Sequence, residues 1–232
     1  MSMQLSGLRV AVVSFTSKLL NTPLRITGLA VMPQATRNLH DELKRALQKH
    51  ENIAGWELYA EALIFAEDVR LFSHHGLDIV AIARAMQRIT IYGNRQGAST
   101  IEQQLVRTLI GDYRPTLLRK IKEVLLASTL WDSVDKLDIL RSYLAVAHFG
   151  TGINGLAAAI ASIKIPRAFE NFQAVYVIAH LRYPLPMCAI DHEEHRRVRR
   201  TKLVASTLPL QRKDIVNMQR SKFLSIPSSD HL

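Results

Sequence analysis

The chain has 232 residues, enough for one large domain or two tightly joined lobes around a sizeable core. A hydrophobic content of 48% and a charged content of 22% exclude a disordered chain, and the single cysteine, Cys188, excludes an internal disulfide and a cysteine-built zinc site. The formal net charge of +10 favours an anionic partner, without choosing among nucleic acid, an acidic membrane surface and a phosphorylated substrate.

Residues 1–38 form an N-terminal segment. Its first 34 residues are moderately apolar but interrupted by Arg9, Lys18 and Arg25, and the run Val10 to Phe15 is short for a signal-peptide core. A membrane-surface helix fits that pattern. Leu39 to His50 then carries Leu43, Ala46 and Leu47 at helical spacing, and Glu57 to Asp68 does so through Leu58, Ala62 and Phe65. Asp78 to Tyr92 repeats the pattern, with Asp78 placed to cap it, and Gly93-Asn94 marks a turn. Ser99 or Thr100 can cap a helix running to about Ile110. Thr116 to Trp131 and Lys136 to Ala147 are further helices, and another starts at Gly155. Ser142 to Ile163 is uncharged and long enough on paper to span a bilayer, but Gly150, Thr151, Gly152, Asn154 and Gly155 would leave backbone groups unpaired in lipid. It reads as helix, tight loop, helix, and no transmembrane segment is expected. Pro166, Pro184 and Pro186 punctuate the last third, and residues 216–232 form a C-terminal tail, of which Leu224 to Leu232 is expected to fray. The fold class is all-α, or nearly so.

Four runs carry candidate chemistry. Glu67 and Asp68 end an apolar helix and lead to His74, His75 and Gly76. A helix C-terminus carries partial negative charge, and acids kept there suit a general base, although a solvated acid pair is the plainer reading. In the second run, Gly97 to Gln104 extended to Arg107, the residues Thr100, Gln103 or Gln104, and Arg107 share a helical face that could offer hydroxyl, amide and guanidinium groups to a sugar or phosphate. The third run is Arg119, Lys120 and Glu123. Its spacing commonly means exposed salt bridges, and functionally a basic cluster for a diphosphate. The fourth, Lys136 to Leu144, looks like core, and the glycine-rich loop after it is too irregular for a nucleotide-binding fingerprint.

In this order the four runs resemble glycosyltransferase family 51, the peptidoglycan glycosyltransferase domain of bifunctional penicillin-binding proteins and monofunctional transglycosylases. Its first motif, E-D-x-x-F-x-x-H-x-G, is met by Glu67, Asp68, His74 and Gly76, with Leu71 where Phe is usual and Phe72 beside it. G-x-S-T-x-x-Q-Q is complete from Gly97 to Gln104, R-K-x-x-E at Arg119, Lys120 and Glu123, and K-x-x-I-L-x-x-Y-L from Lys136 to Leu144. The resemblance spans roughly Ile53 to Leu203. The chain departs from the pattern at Ala145 (usually Asn), Arg107 (commonly Lys), Pro115 (often Arg, with Arg114 one place off), Ser162-Ile163-Lys164 (usually an aromatic segment) and Phe172 to Ala179, where a late motif has drifted.

The resemblance implies a lysozyme-like larger lobe over residues 39–215, with a smaller apolar, membrane-touching jaw over about 77–96. It implies polymerisation of lipid II into glycan strands, with inversion at MurNAc C1 and release of polyprenyl diphosphate. Glu67 would be the general base, with Glu123 the second catalytic acid, positioning or assisting on the donor side. Asp68, His74, Ser99, Thr100, Gln103, Gln104, Arg107, Arg119 and Lys120 would bind substrate. No cofactor is required; Mg or Mn assists some members, and no ligand cluster in the sequence demands a metal. The implied partners are lipid II, the growing glycan strand, an anionic membrane surface and other cell-wall synthesis proteins. The implied location is peripheral, on the outer (periplasmic) face of a bacterial inner membrane. Two rivals remain: a member that binds lipid-linked precursor or cell-wall partners without turnover, and a lysozyme-like hydrolase using Glu67 as its acid. The basic run His195 to Lys202 lacks interleaved aromatics, so a membrane-facing surface is expected there and nucleic acid is not.

Overall fold

The computed structural model describes residues 2–49, 53, 55–93, 97–163 and 170–185. Asn94, Lys164, Pro166, Pro186, Cys188, the basic run His195 to Lys202 and the segment 216–232 lie outside the described residues.

Among the described residues the chain is almost wholly helical. The elements are α1 (Ser2–Val31), α2 (Pro33–Lys49), α3 (Trp56–Glu67), a single 3-10 turn (Leu71–Ser73), α4 (Ile79–Tyr92), α5 (Ile101–Ile110), α6 (Leu117–Leu130), α7 (Lys136–Val146), β1 (His148–Gly150), β2 (Ile153–Asn154), α8 (Leu156–Ser162) and α9 (Glu170–Ala179). No helix among the described residues is long and apolar enough to cross a membrane.

Local chemistry sets most boundaries. Asp78, Thr100, Thr116 and Asp135 each accept a backbone N–H of the following first turn, from Ala81, Gln103, Arg119 and Leu137. Between Ser99 and Thr100, the cap is Thr100. α2 begins at Pro33 and not at Leu39, because a proline fits the first turn of a helix, where its missing N–H has no partner to lose. The uncharged Ser142–Ile163 stretch is two helices joined by a ribbon, with His148 opposite Asn154 and Gly150 opposite Ile153. That ribbon also receives the chain after α9: the Leu185 N–H donates to the Phe149 carbonyl, and the Thr151 N–H to the Leu185 carbonyl.

The core is built on α5, whose Ile101, Leu105 and Val106 are fully buried, and which packs against α2, α6 and α7. Leu39 and Leu43 of α2, Leu126 and Leu130 of α6, and Ile139, Leu140 and Leu144 of α7 close around it. α3 packs on α9, where Ala174 to Ala179 are all buried. The segment that departs most from the late family motif therefore still forms a buried helix behind the acid pair. α4 differs from the others. Ala85 is its one buried residue, while Met86, Ile89, Ile91 and Tyr92 are exposed.

Candidate active site

A cleft of about 480 Å3 opens where α3 ends and α5 begins. Glu67, Asp68, Ser99, Thr100, Gln104 and Arg107 line it, together with Arg70, Arg84 and Arg182. Its two sides follow from the core packing: α3 delivers the acids, and α5 delivers the polar side chains.

Glu67 is the last residue of α3. Its Oε2 accepts from Gln104 Nε2 at 3.2 Å, and the Gln104 Oε1 accepts from the Tyr143 hydroxyl at 2.8 Å. Tyr143 thereby fixes which end of the Gln104 amide faces Glu67, because an oxygen already engaged with a donor leaves the NH2 for the carboxylate. Burial, and then the nearby Glu67 charge, holds the Tyr143 hydroxyl well above its ordinary pKa, so it stays protonated and donates. Spacing alone places Tyr143 in the core. Its ring is core; the available clue was that a buried tyrosine hydroxyl requires a partner.

Asp68, the next residue, is held differently. It is buried, both its oxygens lie 2.9 Å from His74 Nε2, and its Oδ2 accepts the Ile101 N–H. Behind it runs a line of alternating charge, buried at Asp68, His74 and Glu102 and ending at the half-buried Lys136. His74 Nδ1 lies 3.8 Å from Glu102 Oε1, to which the Lys136 ammonium also donates. Burial favours neutral His74, but the charges of Glu102 and Asp68 outweigh it and raise its pKa. Glu102 is held ionised in spite of its burial by Lys136 and His74.

The loop between the acids and α4 is fixed through Gly76. Its carbonyl accepts from Thr100 Oγ1 and from Gln103 Nε2, both at 3.0 Å. Its φ is +91°, and a Cβ there would sit 2.9 Å from the Ala127 carbonyl oxygen, so only glycine fits. The expected ligand-facing stripe on α5 is thus divided. Thr100 and Gln103 are 1% exposed and both donate to the Gly76 carbonyl, Thr100 at the edge of the cleft and Gln103 behind it, whereas Gln104 and Arg107 reach the cleft. Positions 103 and 104 lie about 100° apart around the helix, so one faces inward when the other faces out.

The third run also turns out differently. Glu123 is 3% exposed, and its pairs with Arg119 and Lys120 are not a surface ladder. Arg107 donates to it through Nε at 2.7 Å and Nη2 at 3.3 Å; Arg119 Nη1 and Lys120 Nζ, the latter at 3.3 Å, complete the cluster. Burial raises a carboxyl pKa, yet Arg107 and Lys120 outweigh burial and hold Glu123 below the ordinary range. Lys120 also donates to Ser99 Oγ and Gln103 Oε1, each at 2.8 Å, so its three protons are in use. Glu123 sits beneath Arg107 as the anchor of the cations and does not line the cleft.

Three arginines in the wall escaped the sequence reading. Arg70 pairs with Asp78 at 2.6 Å; Arg84 comes from α4, and Arg182 from the turn after α9. Burial, and then the neighbouring Arg70, lowers the Arg84 pKa, so positive charge is crowded at this end of the cleft. Arg84 follows Asp78 by six residues on a capped helix, a signal the sequence held; nothing local points to Arg182.

Asp68, His74 and Asp78 bring ligand-type atoms within 4.8 Å of one another. The donor set does not fit Mg or Mn. His74 Nε2 is spent on Asp68, Arg70 holds Asp78, Asp78 also caps α4, and a hard cation prefers an all-oxygen shell.

Comparison with known proteins shows the family. Residues 32–208 match the Transglycosylase family model. The chain belongs to that family, one of glycosyltransferases. It is similar to penicillin-binding protein 1F of Bacillus subtilis (strain 168), 40% identical over 100 residues, which are 43% of this chain and 14% of that protein. It is similar to penicillin-binding protein 1A of Escherichia coli (strain K12), 43% identical over 100 residues, 43% of this chain and 12% of the relative. The monofunctional glycosyltransferase of Staphylococcus saprophyticus is 33% identical over 114 residues, 48% of this chain and 42% of that protein. The match therefore spans less than half the length of each of these relatives.

Proposed function

We propose that this transglycosylase-family chain is a peptidoglycan glycosyltransferase that polymerises lipid II. The observation that carries the reading is the cleft itself, with Glu67 in a wall that also holds Arg70, Arg84, Arg107 and Arg182. A carboxylate beside a crowd of guanidiniums suits a reaction in which a hydroxyl loses a proton and a diphosphate departs. A neutral glycan, the substrate of a hydrolase, has no use for that charge.

In this reading Glu67 takes the proton from the acceptor GlcNAc 4-hydroxyl as that oxygen attacks MurNAc C1 from the face opposite the diphosphate. The C1–diphosphate bond breaks, the anomeric centre inverts, and the polyprenyl diphosphate leaves with its charge stabilised by the arginines. Asp68 is not the base, because its oxygens are committed to His74 and the Ile101 N–H. Gln104 orients Glu67, and Ser99, held by Lys120, presents its hydroxyl to the donor. Arg119 and Lys120 act beside Arg107 through Glu123. The exposed Met86, Ile89, Ile91 and Tyr92 of α4, with Arg84 and Arg88 on the same helix, suit the surface of an anionic membrane, where a lipid-linked substrate is found.

The test is incubation of the full chain with labelled lipid II. Wild type is expected to make glycan polymer and Glu67→Gln none. Tight lipid II binding without polymer in wild type favours the non-catalytic binder, and release of soluble fragments from sacculi favours the hydrolase.

A further inference from the structure

α1 precedes the matched residues 32–208, yet it is tied to the loop that follows the acid pair. Over residues 17–31, the part of α1 whose side chains are described, the exposure pattern is inverted. The residues buried there are Ser17, Asn21 and Gly28, one face at helical spacing, while Leu19, Leu20, Ile26 and Leu29 are exposed. A helix docked for apolar burial would present the opposite face. The buried face instead brings polar groups and a close backbone approach. A Cβ on Gly28 would lie 2.8 Å from the Leu125 carbonyl oxygen of α6, so the two helices nearly touch there. Arg25 pairs with Asp132 at 2.7 Å, and the Lys18 ammonium lies 5.6 Å from the Trp131 ring centre.

Ser17 reaches furthest. Its Oγ lies 3.1 Å from the His75 N–H, 3.2 Å from His75 Nδ1 and 3.2 Å from Asn21 Nδ2. A hydroxyl has one proton to give and two lone pairs. The His75 N–H and Asn21 Nδ2 take the lone pairs, so the proton goes to Nδ1, which must then be bare. Asn21 Nδ2 also donates to the Ser17 carbonyl at 2.9 Å. With both of its lone pairs so engaged, the Ser17 hydroxyl matches the neutral His75 ring protonated at Nε2. The Trp131 ring, edge-on at 4.2 Å, holds that imidazole from the C-terminal cap of α6.

We propose that Ser17 is a positioning residue: through His75, α1 locks the His74-His75-Gly76 segment and with it the acid pair. Three consecutive residues are pinned from three sides: His74 by Asp68, His75 by Ser17, and Gly76 by Thr100 and Gln103. Remove the α1 pin and the segment keeps its outer two, but His74 can turn against Asp68, the neighbour of the base. Burial, then the charges of Lys136 on α7, His74 and Lys18 on α1, opposed by Glu102 on α5, bring His75 down to about 4, which agrees with a ring neutral at physiological pH.

The role in catalysis rests on the glycosyltransferase reading; the lock itself does not. The full chain is therefore examined in two ways. Ring-nitrogen NMR should find His75 of wild type in the Nε2–H tautomer from pH 7 down to about pH 5. Ser17→Ala should mix its tautomers, raise its titration midpoint and move the His74 ring signals, while Ser17→Thr, which retains the hydroxyl, restores the wild-type spectrum. With lipid II, Ser17→Ala should lower kcat about tenfold at unchanged KM, the size expected when a catalytic group is slightly misplaced, and Ser17→Thr should recover it. Arg25→Ala removes another α1 tie; it should lower the melting temperature and leave both the His75 tautomer and kcat unchanged. If Ser17→Ala does not fold, Asn21→Ala should show smaller shifts of the same sign. An unchanged His75 and His74 spectrum in Ser17→Ala overturns the lock, and equal kcat losses in Arg25→Ala and Ser17→Ala overturn the specific role of Ser17. Absence of polymer from wild type sinks the proposed function alone, because the ring spectra still decide the lock.

Discussion

Glu67 and Glu123 are carboxylates delivered to the same region by different helices, and their surroundings differ sharply. Glu123 is buried beneath Arg107 and gathers three cations. Glu67 lines the cleft and takes one hydrogen bond from a neutral amide, itself oriented by Tyr143. A carboxylate clamped by guanidinium and ammonium groups is a poor proton acceptor, since those partners stabilise its charged form. One facing a cleft and steered by an amide can take a proton and give it up. Asp68 and Glu102 resemble Glu123 in being buried and engaged, and Glu102 is held ionised. The difference teaches that acids this close in space divide between holding charge in place and moving a proton.

The strongest way to break the comparison is to neutralise each acid in turn. Glu67→Gln keeps the shape and removes the base, so kcat for polymer formation should fall by about 10³-fold or more, with KM and the melting temperature nearly unchanged. Glu123→Gln should act the other way round. It leaves three cations without their anchor, so stability should drop by about 3 kcal/mol and activity should fall with it. The two are separated by urea unfolding at pH 7 beside the polymer assay. Acid adds a second reading. The Glu123 pKa is depressed in the folded protein, so its stabilisation is present above the ordinary carboxylate range and is lost as pH falls through the depressed value. Wild type should therefore lose more stability than Glu123→Gln between pH 5 and about pH 3. Equal losses would mean that the cations do not hold Glu123 ionised.

The sequence reading reached Glu67 and missed the contrast, for a physical reason. Caps are local: Asp78, Thr100 and the turn after Tyr92 are written within a few residues of the helices they bound. The pairing of Glu123 with Arg119 and Lys120 was legible as i, i+4 and i, i+3 neighbours, but spacing on one helix cannot show that Arg107 arrives from α5 and covers the cluster. Nor can it show which of Gln103 and Gln104 faces the cleft, since that depends on where α7 and the Gly76 carbonyl lie. Arg182 enters through the packing of α9 on α3, far along the chain.

Tyr143→Phe sharpens the Glu67 side. It leaves the apolar ring in place and frees the Gln104 amide to turn its oxygen toward Glu67. We expect kcat to fall about tenfold and stability by about 1 kcal/mol, the cost of one unmatched buried acceptor. The activity loss should exceed what Tyr143→Phe does to lipid II binding, measured by titration. A variant with full kcat would mean that Gln104 is oriented by something other than Tyr143.

The smallest effect concerns Asp68, which sits beside the base but is held in the manner of Glu123. Its partner His74 has a raised pKa: burial opposes the charged ring, but Glu102 and Asp68 prevail. The folded protein therefore keeps a proton that the unfolded chain releases. His74 contributes stability that is fully present below about pH 6.5, the ordinary histidine value, and is lost as pH rises through the raised one. The informative window is pH 7 to 9, since His75, held at about 4, is neutral there in both states. Other groups titrate in this window, among them Lys120, whose pKa is lowered chiefly by burial. The quantity to follow is accordingly the difference between wild type and His74→Gln in urea midpoint. That difference should shrink steadily from pH 7 to pH 9. A constant difference would mean that His74 is neutral when folded and that Asp68 is held by a plain hydrogen bond, without the charge pairing that holds Glu123.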